Sequence, residues 1–212
     1  MATIDDVIKA YYLHRSQVMM NYLNNLHKKY GHKATFSSGM IVDLFEGEHQ
    51  KRLKYDTRFC YSKLIQDVIK NLKGTNILTN KYGAFEDLHK DVEKVLNKIR
   101  GIGDLTIYDM SLRIGYIRKV QLLPKDYVYL YCGANAGANA LYRSSKSLFN
   151  LSLIPTGGKI IAKSYSISMF NAPLRDVPSM LLEDLFCVYH SKLGGMTNYT
   201  YQDFQKVPKF FI

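Results

Sequence analysis

The sequence predicts a mainly α-helical, multi-helix fold with a small β element near residues 151–170. Three observations carry this expectation. Apolar residues recur at helical spacing through long stretches of the first 120 residues. The β-prone runs after residue 150 are short and broken by Gly157-Gly158 and Asn171-Ala172-Pro173. Hydrophobic residues make up 47% of the 212, with 17 Tyr and 10 Phe, enough apolar surface for a core and too aromatic a composition for a disordered chain.

The elements follow in order. Thr3 is placed to cap a first helix, with Asp5 and Asp6 in its opening turn, where the helix dipole favours negative charge. Ile4, Val7, Ile8, Tyr11, Tyr12, Val18, Met19, Tyr22, Leu23 and Leu26 continue that helix, and Gly31 ends it behind Lys28 and Lys29. Ser37-Ser38-Gly39 is a turn, and Met40–Phe45 is a short apolar run compatible with strand or helix. The segment Glu46–Asp56 is polar and mixed in charge, and Glu46, Glu48 and His49 within it are read as a solvated loop rather than an acid/base cluster. Helical periodicity returns over Phe59–Leu72 and Phe85–Ile99, then over Asp104–Val120 after a two-glycine turn. Asp126–Tyr131 is open between helix and strand. Leu151–Pro155, Lys159–Ala162 and Tyr165–Phe170 suggest a small hairpin, and Ser179–Leu193 a last helix capped at Ser179. Glu183 and Asp184 on it are read as a capping and surface pair. The apolar, basic tail Phe204–Ile212 is expected either to dock or to stay mobile. On this reading the chain comprises an N-terminal helical part (1–80), a central part (81–150) and a C-terminal α+β part (151–212), expected to form one compact unit.

Twenty-nine Lys and Arg against 18 Asp and Glu give a net charge of +11. A field of this sign favours polyanions such as nucleic acid, an anionic surface or an acidic partner. Cys60, Cys132 and Cys187 are too far apart for a zinc motif or a disulfide framework, and the six His show no metal-ligand spacing. The N-terminus has no signal-peptide pattern and no stretch reaches the ~20 apolar residues of a membrane span. The expected setting is cytoplasmic or nucleoid-associated rather than secreted or membrane-bound.

The most informative stretch runs from Leu96 to Gly115. Gly101 and Gly103 permit a tight turn that opens straight into a helix, so that backbone N–H groups and the positive end of the helix dipole converge, an arrangement suited to a phosphate. Arg100 precedes the turn, Thr106 supplies a further hydroxyl, and Ile102 is expected to plug between the helices. In its order of Leu96, Ile99, Gly101-Ile102-Gly103, Leu105 and Ile107, the sequence resembles the helix-hairpin-helix DNA-binding family over about 30 residues. The resemblance implies sequence-independent binding of DNA through its backbone, with a monovalent cation at the hairpin as the only cofactor. Arg113, Arg118, Lys119, Arg143 and Lys146 are the basic residues expected to join Arg100 on phosphates. RNA is the alternative polyanion, and no motif sets an oligomeric state.

Some members of that family are DNA glycosylases, with an Asp about twenty residues beyond the hairpin and, in some, a nucleophilic Lys two residues beyond it. Leu105 occupies the lysine position, and Asp126 lies a few residues late for the aspartate. Asp126 is therefore the one catalytic candidate of an alternative, base-excision reading, in which it would stabilise a cationic sugar. A third reading makes the hairpin purely structural and the chain a module for an acidic protein partner. Elsewhere, Gly133 and Gly137 among the alanines of Cys132–Leu141 suggest close helix packing, with a second hairpin-like contact through Arg143 and Lys146 as the alternative. Leu141–Arg175 contains no acidic residue, a stretch suited to a basic face.

Overall fold

A computed structural model describes residues 1–46, 61–155 and 159–205. The stretch holding Glu48 and His49, the Gly157-Gly158 turn and the tail beyond Gln205 lie outside the described residues. The described chain is mainly helical with one two-stranded sheet. It divides into two compact units: a middle unit, Asn21–Leu123, and a terminal unit made from both ends, Met1–Met20 with Pro124–Ile212.

In the terminal unit, α1 (Ile4–Tyr11) opens on the expected cap: the Asp6 amide donates to Thr3 Oγ1 (3.2 Å) and the Thr3 amide to the Asp6 carboxylate (2.9 Å). The first helix does not run unbroken to Gly31. A π-helical turn at Tyr12–Ser16 separates α1 from α2 (Gln17–Tyr30). It holds Arg15 in the interior, where the guanidinium donates twice to Asp184 (3.0 and 3.2 Å), and Tyr11 Oη donates to the same carboxylate (2.9 Å). This corrects the surface reading of Glu183 and Asp184. Both are at most 5% exposed, because their helix, Ser179–Val188, is buried along its whole length and has no solvent face on which to place them. The charge of Asp184 is compensated by Arg15 instead.

The Asp126–Tyr131 ambiguity resolves as β1 (Tyr127–Tyr129), followed directly by α7 (Cys132–Ser144), the helices α3 (Ser38–Phe45), α4 (Tyr61–Leu72), α5 (Phe85–Leu96) and α6 (Asp104–Ile117) lying in the middle unit. Among the described residues, the β-prone region contributes a single strand, β2 (Ser164–Ser166), which pairs antiparallel with β1 rather than within a local hairpin. Leu151–Leu153 and Ile167–Met169 are 3₁₀ turns, with Asn150 and Ser166 accepting at their starts. The small residues of α7 do let helices touch. A Cβ on Gly137 would lie 2.2 Å from the Phe186 carbonyl of α8 (Ser179–Val188), and one on Gly133 would lie 3.0 Å from Cys187 Sγ. A short α9 (Tyr201–Gln205) buries Phe204 against Tyr189.

In the middle unit, α3 (Ser38–Phe45) settles the Met40–Phe45 question in favour of helix. Ser37 caps it, accepting from the Met40 amide, and Met40, Ile41, Leu44 and Phe45 are buried. Helix α4 (Tyr61–Leu72) buries Leu64, Val68 and Leu72, four residues apart. Helices α5 (Phe85–Leu96) and α6 (Asp104–Ile117) pack antiparallel. His89 Nδ1 meets Ser111 Oγ at 2.9 Å, the rings of Phe85, His89 and Tyr108 cluster, and Leu88 in the first turn of α5 lies against Gly115 in the last turn of α6. Every residue from Ile107 to Ile117 is buried, so α6 is the central helix of its unit rather than an amphipathic surface helix.

Candidate nucleic-acid interface

The connection between α5 and α6 is built by local main-chain bonds. Ile99 N donates to Leu96 O (3.0 Å) and Ile102 N to Ile99 O (3.1 Å). Gly101 then takes φ +96°, a left-handed conformation that a residue with a Cβ adopts only at a cost. Gly103 is extended (φ −109°, ψ 171°) and is the N-cap of α6, its carbonyl accepting from Ile107 N (3.1 Å). With no side chain, Gly103 makes no side-chain capping bond to the first turn of α6. The amides that follow, of Asp104, Leu105 and Thr106, find no acceptor within the helix either.

Gly101, Gly103, Arg100 and Lys98 are exposed, while Ile102, Leu105 and Thr106 are half-buried. A Cβ built on Gly103 has open space around it. Ile99 is buried, whereas Ile102, expected to plug between the helices, is half-buried. Asp104 stands at the first helical position, where the helix dipole favours a carboxylate. Lys98 is a basic residue that motif matching passed over; its signal was its place two residues before Arg100.

The hairpin thus gathers Arg100, Gly101, Ile102, Gly103, Leu105 and Thr106, while Arg113, Arg118 and Lys119 of the same unit lie elsewhere on it. Arg113 is the clear correction. It is 6% exposed, donates to the Leu44 carbonyl (2.7 Å) and pairs with Asp109 (3.3 Å). It lies in the stretch of α6 that is buried on all sides, so its charge serves the interior of the unit.

Arg118 and Lys119 follow the far end of α6. Fourteen residues at 1.5 Å rise place them about 20 Å from Gly103. Arg118 is half-buried. Its guanidinium donates to the carbonyls of Ile77 and Asn80, and it lies 4.8 Å from the Tyr82 ring centroid. Burial lowers its pKa from the usual arginine range. Lys119 is exposed.

Arg143, Lys146 and Asp126 belong to the terminal unit. Arg143 and Lys146 are exposed at the end of α7, Lys146 lying 6.0 Å from the Tyr142 ring centroid. Asp126 is exposed just before β1, and its main-chain carbonyl accepts from Ile167 N (2.8 Å). Among the described residues no group of three or more His, Cys, Asp or Glu side chains is placed to hold a metal ion, and no helix is long and apolar enough to cross a membrane.

The middle unit carries 18 Lys and Arg against 11 Asp and Glu, +7 of the chain's +11. The glycine turn and its basic neighbours therefore lie on the more cationic of the two units. Comparison with protein families, curated proteins and solved structures finds no match to this chain.

Proposed function

We propose that this chain binds nucleic acid, DNA foremost, through its backbone and without sequence preference, at the glycine turn between α5 and α6. One observation carries the reading. The N-cap of a central, buried helix is an exposed glycine, Gly103, which brings no capping side chain of its own, and the helix is entered through two exposed glycines beside Lys98 and Arg100. Backbone amides and a helix dipole directed at one open point suit a phosphate oxygen. They read no base edge, so recognition of this kind is indifferent to sequence. The net charge of the middle unit supplies the salt-dependent attraction that any such contact needs. The base-excision alternative rests on Asp126 alone and is not carried further.

The test uses a substitution that should leave the fold intact. In Gly103→Asp the new carboxylate is itself a favourable N-cap, so the helix is kept or strengthened while the amides are occupied and a phosphate is repelled. Anisotropy of a fluorescent duplex across a salt series is expected to show wild-type binding that weakens with salt. The variant should lose about tenfold or more in affinity, and its slope of log K against log salt should be shallower by about one. RNA of the same length serves as competitor and ranks the two nucleic acids. Equal binding by a folded Gly103→Asp variant, or no binding by wild type at low salt, refutes the proposal.

A further inference from the structure

At the end of the middle unit opposite the glycine turn, three connections meet around a cleft of about 950 Å³. They are Gly31–Ala34 after α2, Leu78–Tyr82 before α5, and Arg118–Leu122 after α6. Four of the lining residues are cationic, Lys33, Lys81, Arg118 and Lys119, and His32 is beside them. None is Asp or Glu.

Arg118 is spent on the wall. It ties the carbonyls of Ile77 and Asn80 to the end of α6 and covers the Tyr82 ring, whose hydroxyl donates to Asp91 (3.0 Å). Lys33, Lys81 and Lys119 are exposed, and none of them has a carboxylate partner among the described residues. The C-terminal ends of α2 and α6, which point here, carry only about half a negative charge each and do not neutralise three ammonium groups. The remaining lining is of another kind. Leu78, Val120 and Leu122 form an apolar wall on which Val120 stands 74% exposed, and Thr79 and Asn80 bring a hydroxyl and a carboxamide.

We infer that this cleft binds a nucleoside phosphate. Lys33, Lys81 and Lys119 hold the phosphates, the base lies on Leu78, Val120 and Leu122, and Thr79 and Asn80 meet the polar edge of the base. Charge, size and lining each narrow the class. Three lysines with no carboxylate partner among the described residues call for more than one negative charge. The volume is at the upper end of small-molecule sites, far beyond a lone phosphate. An apolar wall beside hydrogen-bonding side chains matches a planar ring with polar edges. The same chemistry is presented by a free nucleotide and by one nucleotide of a nucleic-acid strand. The inference stands apart from the glycine-turn reading, since the two sites lie about 20 Å apart and share no residue.

Titration calorimetry of the full chain at low salt, with ATP, inorganic triphosphate and a hexameric oligo(dT), tests this. The proteins are wild type, the exposed-site double variant Lys81→Glu/Lys119→Glu, Val120→Ser, and Gly103→Asp. ATP is expected to bind wild type more tightly than triphosphate does. The lysine pair should weaken ATP about tenfold or more. Val120→Ser should weaken ATP but not triphosphate, and Gly103→Asp should leave both unchanged. Binding of the oligonucleotide but not ATP, lost in the lysine variant and kept in Gly103→Asp, upholds the site and assigns it to a strand. Triphosphate binding as tightly as ATP, or lysine variants that match wild type, overturns the inference without bearing on the glycine turn, and no binding of any probe overturns it as well.

Discussion

Replacing Gly115 by alanine adds one methyl group at a place with no room for it. The new Cβ would lie 2.2 Å from the Leu122 carbonyl oxygen and 3.1 Å from Leu88 Cδ2. The first is main chain and cannot rotate away, so the Arg118–Leu122 segment has to move off α6. Overpacking of this kind costs about 1–3 kcal/mol, and a contact with backbone belongs at the upper end. The displacement also breaks the bond from Leu122 N to the Gly115 carbonyl (3.0 Å), worth about 1 kcal/mol. Alanine returns about 1 kcal/mol of helix propensity over glycine. The net expectation is a loss of about 3 kcal/mol. Gly39 in the first turn of α3 is the matched control: it is exposed, and a Cβ there meets nothing within 4 Å. Gly39→Ala should stabilise by about 0.5 kcal/mol, by restricting the unfolded chain. Urea unfolding of both variants, followed by circular dichroism, makes the comparison. If Gly115→Ala is as stable as Gly39→Ala, the close approach of α6 to its following segment is wrong, and so is the floor of the cleft that Leu122 helps to line.

Three further outcomes are expected. Arg15→Met leaves Asp184 buried and uncompensated and should cost about 3–5 kcal/mol, whereas Arg15→Met/Asp184→Leu should recover much of that; a double-mutant cycle by urea unfolding that shows simple additivity would contradict the pairing. Burial raises the Tyr11, Tyr61 and Tyr189 hydroxyls above their ordinary value of 10.0. Their neutral forms therefore support the fold fully below pH 10, and this support is lost as the pH climbs from there towards the raised folded values. Tyrosinate absorbance should appear together with the loss of helical dichroism, and ionisation near the ordinary value in an intact fold would refute it. Asp104→Asn removes the carboxylate from the glycine turn and should tighten duplex binding about two- to fivefold in the anisotropy assay, with weaker binding counting against a phosphate at that turn.

The sequence was most legible where one face of a helix repeats, as in Leu64, Val68 and Leu72 or Leu88, Val92 and Leu96, and where a side chain acts on its own neighbours, as in the Thr3–Asp6 cap. Partners far along the chain were not legible. Nothing near Asp184 announces that Arg15 neutralises it and Tyr11 donates to it, so the carboxylate passed for a surface charge. Arg113 passed for a phosphate ligand for the same reason, its acceptor being the Leu44 carbonyl. The π turn at Tyr12–Ser16 is set by what Arg15 reaches, not by the local pattern, which is helical throughout. β2 was placed roughly, but its partner lies more than thirty residues upstream, across α7. The glycine turn could be read because it is contiguous. The cleft could not, because Lys33, Lys81 and Lys119 come from three separate connections.

A terminal unit assembled from Met1–Met20 and Pro124–Ile212 also orders events during synthesis. The middle unit is continuous in the chain and has all its residues once Leu123 has been made. Arg15 is separated by 169 positions from the carboxylate it pairs with. At ribosomal rates of about 5–20 residues per second, that carboxylate is made roughly 10–30 s after the arginine. During this interval the apolar face of α1 (Ile4, Val7, Ala10 and Tyr11) waits beside a growing chain without its native cover. A chain truncated after Leu123 and released should therefore protect the middle unit from protease while its first twenty residues are cut, and chaperones that recognise short apolar segments should find their target there.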